Sequence, residues 1–133
     1  MSKLLYIDTN VWISLFKEEK DYLRPISDFS FELFRRALNC EFDIVISTWL
    51  LKELVLTRYS KDSDRVIQEF RSKHKVVFLQ TSKEDYALAK KEKHWQDRLH
   101  EILAQKGNAD FLVTRNLKDF KGDLVQTKLP ENL

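Results

Sequence analysis

Lys3-Leu4-Leu5-Tyr6-Ile7-Asp8-Thr9-Asn10-Val11 decides the fold: a short apolar run ends on a carboxylate and gives way at once to helix-forming sequence. An apolar run of that length, with no polar alternation, reads as a strand buried on both faces. Thr9 and Asn10 open a helix carrying Val11, Trp12, Leu15 and Phe16. The same pairing of apolar run and helix recurs along the chain. Ser27 caps a second helix over 27–39, with Phe31, Phe34 and Leu38 at helical spacing. A second strand over 42–46 stops at Ser47-Thr48, followed by an apolar helix over 48–60 and a polar one over 63–73. The third strand is 76–79. Ser82, with Asp85 three residues on, starts a helix to about residue 93 in the manner of a capping box. The helix over 97–106 ends at Gly107, placed as helix-terminating glycines usually are. A fourth strand spans 111–114, and a weak fifth 124–127. Strands alternating with helices predict a parallel α/β sheet covered on both faces. Such sheets bind ligands at the carboxyl ends of their strands.

Composition narrows the function. The chain has 133 residues, enough for one domain over 1–133 and hardly for two. With 43% hydrophobic and 33% charged residues it reads as folded, with a heavily charged surface. A net charge of +2 is too near neutral to argue for a nucleic-acid partner by itself. The lone Cys40, read as structural, excludes an internal disulfide and a cysteine-rich zinc site. Gly107 and Gly122 are the only glycines, so a dinucleotide fingerprint, a phosphate loop and a GxSxG elbow are all excluded. No apolar run approaches the roughly 20 residues of a membrane span, and Asp8 precedes any signal-like stretch. The expectation is a soluble, cytoplasmic, single-domain protein.

The predicted strand ends carry Asp8-Thr9-Asn10, Ser47-Thr48, and Thr114-Arg115-Asn116 with Asp119 just beyond. Asp8 alone is equally a helix cap. Two strand ends that both deliver acid and amide oxygens also suit a hard cation, Mg²⁺ or Mn²⁺. Glu53 shares its helical face with Trp49, Leu50, Leu56 and Thr57, so its carboxylate emerges from an apolar surface and needs a partner, either a basic side chain or a metal. Asp97 lies opposite the apolar face formed by Leu99, Ile102 and Leu103, on the side of Glu101 and Ala104. Periodicity alone makes it a solvated first-turn acid. His74, His94 and His100 lack zinc-ligand spacing.

Three segments carry a family resemblance: Tyr6-Ile-Asp8-Thr-Asn10-Val11, Ile46-Ser-Thr-Trp-Leu-Leu-Lys-Glu53-Leu54, and Asp97-Arg-Leu-His100 continuing through Asn108-Ala-Asp110-Phe-Leu-Val-Thr114-Arg-Asn116-Leu-Lys-Asp119-Phe120. On these the chain resembles PIN-domain proteins, similar to the nuclease toxins of toxin–antitoxin pairs. The resemblance implies a three-layer α/β/α fold around a parallel sheet of about five strands. It also implies a metal-dependent, single-strand-specific endoribonuclease, a homodimer, and an antitoxin protein as partner. By the same resemblance Asp8, Glu53, Asp97 and Asp119 form the catalytic set, and Asp8, Asp97 and Asp119 hold Mg²⁺ or Mn²⁺. Asn10, Thr114 and Asn116 support the site. Many relatives carry an acid where this chain has Asn116, and Asp119 is the expected replacement. Arg98 and Glu101 stand where small or apolar residues are common, and Glu101 either joins the acids or faces water.

Arg115, Lys118 and Lys121 flank the expected metal site and are the candidate RNA phosphate contacts; the other basic runs read as solvated helix faces. Trp12, Trp49 and Trp95 offer rings for base stacking, the first two more naturally as core. Apolar surface at Trp12, Phe16, Leu51 and Val55 adds to the homodimer expectation. The competing reading is a catalytically degraded PIN-like domain that binds RNA or protein. Phosphoaspartyl enzymes and receiver domains fit poorly, because Asn10 and Ser47-Thr48 stand where those chemistries need acids.

Overall fold

The computed structural model describes residues 2–17, 26–39 and 41–133. Elements follow in the order β1 (Lys3–Ile7), α1 (Thr9–Lys17), α2 (Ile26–Leu38), β2 (Phe42–Ser47), α3 (Thr48–Val55), α4 (Ser60–Ser72), β3 (Val76–Leu79), α5 (Lys83–Ala89), α6 (Trp95–Lys106), β4 (Phe111–Val113) and β5 (Gln126–Lys128). The strands form one all-parallel sheet in the order β3-β2-β1-β4-β5. Central β1 pairs Leu5 with Ile44 on one side and Phe111 on the other. Both faces are covered, giving the three-layer α/β/α arrangement that the sequence predicts. The Ser27 side chain and Cys40 lie outside the described residues.

Strand alternation divides the core in two. Leu5, Ile7, Ile44 and Ile46 point to one face and bury Val11, Trp12, Leu33, Phe34, Leu50 and Phe70 from α1 to α4. Tyr6, Val45 and Leu112 point to the other and pack on Leu99, Leu103 and Ala104 of α6. Trp12 is fully buried, its indole donating to the Ile7 carbonyl at 3.1 Å, so it belongs to the core and not to an outer apolar face.

Several boundaries differ from the sequence reading. Helix α3 stops at Val55, short of the expected 60, because the Thr57 hydroxyl donates to the Leu54 carbonyl at 2.7 Å and the chain turns before α4. The Ser82–Asp85 capping box is present in both directions, but α5 ends at Ala89. Gly107 does not take the left-handed terminating conformation. Asn108 does, at φ 59°, while a Cβ on Gly107 would come within 3.1 Å of Val45, so glycine lets α6 end close against β2. Strand β5 begins at Gln126, two residues later than expected. Lys75, in a basic run read as solvated, is buried and pairs with Asp43 at 2.9 Å.

Candidate metal centre

The carboxyl end of β1 puts Asp8 at the middle of the sheet's edge, where its amide still donates to the Val113 carbonyl of β4 at 2.9 Å. Its side chain is buried and held at both oxygens: Oδ1 accepts from the Thr9 amide at 2.8 Å and Oδ2 from the Thr114 hydroxyl at 2.9 Å. Asn10 ties the two strand ends together. Its Nδ2 donates to Thr114 Oγ1 at 3.3 Å, and its Oδ1 accepts from the Arg115 amide at 3.2 Å. The Asn116 amide also donates to Thr114 Oγ1, at 3.1 Å. Thr114 is therefore the hub that orients Asp8.

Glu53, on the second turn of α3, meets two donors. Thr9 Oγ1 donates to its Oε1 at 2.6 Å, and His100 Nε2 donates to the same oxygen at 2.5 Å. That imidazole lies 3.5 Å from Asp8 Oδ1 and is buried. Its other nitrogen meets the Tyr6 hydroxyl at 2.7 Å, and Tyr6 in turn shares a 2.7 Å hydrogen bond with Ser47, the residue that caps α3. His100 is thus the partner that Glu53 required. Its spacing from the other histidines gives no zinc motif, so that pattern does not single it out. Two signals pointed to it: the unpaired demand of Glu53, and its place three residues after Asp97 on one helix.

Helix α6 also corrects the placement of Asp97 and Glu101. Leu99, His100, Glu101, Ile102, Leu103 and Ala104 are all buried, so the helix has no broad solvated side in this stretch. Asp97 is half-buried, and its carboxyl is pushed up to about 6 by burial, by the negative charge of Asp8, and further by Asp119 and Glu53, with His100 opposing. Glu101 neither joins that cluster nor faces water. It accepts from the Gly122 and Lys121 amides at 2.9 and 3.3 Å and from Arg98 at 3.4 Å, and Arg98 reaches on to Asp123 at 2.7 Å.

The site's charges answer one another. Burial raises the Asp8 carboxyl, and nearby Glu53 adds to this against the lowering effects of His100, Thr114 and Thr9. Burial works to raise Glu53 as well, but the hydrogen bond and charge of His100 and the Thr9 hydroxyl hold it below the usual carboxylate range. Burial works to lower His100, yet Glu53, Asp8 and Asp97 together hold it above its ordinary value. Asp8, Glu53 and His100 each offer one ligand atom within 4.8 Å of the others, a compact set of two oxygens and one nitrogen. That donor set could hold a divalent metal ion.

The remaining predicted residues lie at the rim. Asp119 ends the 3₁₀ turn Leu117–Asp119; it is exposed and close enough to act on Asp97 by charge. Asn116 is exposed at the start of that turn. Of the expected phosphate contacts, Arg115 is ion-paired to Glu131 and mostly buried, Lys121 pairs with Glu92 at 2.8 Å, and Lys118 is exposed. Lys118, Asp119, Lys121, Arg98 and Glu92 border a cavity of about 280 Å³. Trp49 and Trp95 pack together beside His100, with ring centroids 5.4 Å apart.

No family model and no curated protein matches the sequence. In three dimensions the chain is similar to a chain in the crystal structure of VapBC2 from Rickettsia felis bound to a DNA fragment from their promoter. The TM-score is 0.60 over 95% of this chain and 98% of that one, at 17% identity. The likeness is one of fold.

Proposed function

We propose that residues 1–133 form a single PIN-like domain acting as a metal-dependent, single-strand-specific endoribonuclease, the toxin of a toxin–antitoxin pair. The observation that supports this reading best is the grouping of Asp8, Glu53 and His100, with ligand atoms within 4.8 Å of one another, at the carboxyl end of a parallel sheet and within charge range of Asp97. There, burial and mutual repulsion push Asp97 up to about 6. Acids gathered in this way gain from a divalent cation.

Asp8 is the principal ligand, because its strand end and two hydrogen bonds fix it. Glu53 and His100 complete the inner set, and Asp97 and Asp119 add negative charge from α6 and the following turn. A bound Mg²⁺ or Mn²⁺ would lower the pKa of water and offset charge on the phosphodiester. Glu53, held by Thr9 and His100, would also orient the attacking water. Thr114, Asn10 and Asn116 hold Asp8 in position. Lys118 is the freest of the expected phosphate contacts, since Arg115 and Lys121 already hold carboxylates.

The shared fold with the VapBC2 chain supports a partner protein in the antitoxin role. An apolar groove of about 360 Å³ along Leu15, Phe16, Phe31, Phe34, Leu38 and Val66 is the surface for that partner or for a second copy. No helix of the described residues is long and apolar enough to cross a membrane; the cytoplasm is the proposed place of action.

One observation favours a second reading, the catalytically degraded binding module: the His100 ring already sits between the two carboxylates, 2.5 Å from Glu53 Oε1 and 3.5 Å from Asp8 Oδ1. Incubation of single-stranded RNA with the purified protein, with Mn²⁺ and then with EDTA, separates the two. Cleavage that EDTA abolishes and Asp8→Asn removes is the nuclease result. RNA left intact under every divalent ion is the binding-module result.

A further inference from the structure

The two faces of His100 make different demands. Its Nε2 looks at the carboxylates, 2.5 Å from Glu53 Oε1 and 3.5 Å from Asp8 Oδ1. Its Nδ1 looks away, 2.7 Å from the Tyr6 hydroxyl, which rests on Ser47. All three of these side chains are buried. Ser47 cannot drift, because its hydroxyl accepts from the Leu50 amide at 3.0 Å as the cap of α3. A chain of this kind behind an imidazole is what ligating histidines have. One ring nitrogen donates to a fixed acceptor, and when an ion enters, the proton on the other leaves to solvent and frees that lone pair for the ion.

We propose that His100 gives the site a nitrogen ligand, with Tyr6 and Ser47 as its fixed support, and so makes it prefer Mn²⁺ over Mg²⁺. The inference rests on the metal-dependent reading above and assigns its selectivity. Two neighbouring ligands on a six-coordinate ion with bonds of about 2.1 Å are about 3 Å apart. The separation of His100 from Asp8 is near that value, and the contact with Glu53 has only to open by about half an ångström. Mg²⁺ favours oxygen and keeps its waters, so an imidazole adds little to its affinity. Mn²⁺ accepts mixed oxygen and nitrogen ligands and gains more. A histidine acting only as a substitute cation does the reverse: it repels every divalent ion alike.

Calorimetric titration of Mn²⁺ and Mg²⁺, without RNA, into wild type, His100→Gln and Tyr6→Phe tests this. Pulsed electron paramagnetic resonance on Mn²⁺-loaded wild type adds a readout that needs no variant. The expected result is a Mn²⁺/Mg²⁺ affinity ratio that falls at least tenfold in His100→Gln and less in Tyr6→Phe, with directly bound nitrogen in the resonance spectrum. A ratio unchanged in His100→Gln, tighter binding of both ions by that variant, or a spectrum without nitrogen coupling overturns the assignment while leaving a metal site in place. Wild type that binds neither ion overturns the metal-dependent reading itself, and this inference with it.

Discussion

Asp8 and Glu101 are both buried acids at the same end of the molecule, yet their surroundings are opposite. Glu101 has an arginine and two backbone amides on its oxygens, and that clasp pins the chain at 121–122 to α6. Asp8 lies within charge range of Glu53 and Asp97, with the His100 imidazole 3.5 Å from its Oδ1. A buried acid answered by its own cation and amides is structural. A buried acid set among other acids is held at a cost that a bound cation would relieve. The first kind stabilises the fold; the second kind is held in place by the fold.

Breaking the two acids separately should give opposite phenotypes. The largest effect is expected on chemistry: Asp8→Asn lowers metal-dependent RNA cleavage by on the order of a thousandfold or more, since it removes the ligand charge while an amide keeps the shape. Circular dichroism and melting of the same variant should show an intact fold. Glu101→Ala should instead cost about 3 kcal/mol of stability, read from urea midpoints, because Arg98 and two amides lose their acceptor. The variant should still be stabilised by Mn²⁺.

A smaller effect sharpens the contrast. Asp97 has its carboxyl raised from 3.8 to about 6, so the folded state binds more protons than the unfolded state between those values, and apo stability falls as pH rises through that window. His100, raised above its ordinary value, adds stability below about 6.5 that is lost as pH rises further, in the same direction. Glu53, held low, acts oppositely but only below about 4.5. Melting of the metal-free protein should therefore occur at lower temperature at pH 7.5 than at pH 5. Asp97→Asn should flatten that slope and raise the apo midpoint at pH 7.5 by on the order of 3 °C. An apo midpoint that climbs from pH 5 to pH 7.5 would contradict the crowding of acids.

The sequence carried the fold and part of this contrast. Apolar runs such as residues 3–7, each followed by a helix, required a parallel sheet, and the sheet placed Asp8 at its carboxyl edge. The capping box at Ser82 was legible because it is local. The end of α3 was not, because it turns on one threonine hydroxyl choosing a backbone carbonyl. Asp97 and Glu101 could not be told apart by periodicity, since α6 is buried around most of its circumference between residues 99 and 104. His100 needed the third dimension: its partners Tyr6 and Glu53 lie 94 and 47 positions away in sequence, and Ser47 stands behind Tyr6, so the set meets only when β1, β2 and α3 are assembled.

If the acids at the sheet's carboxyl edge are gathered for a divalent ion, as proposed, that ion must stabilise the folded chain. Thermal melting of wild type and Asp8→Asn, with and without Mn²⁺ at a hundredfold excess over its Kd, tests it most directly. A gain of about 2.7 kcal/mol is expected in wild type and none in the variant. Identical melting of wild type with and without the ion, at any concentration up to millimolar, would contradict it.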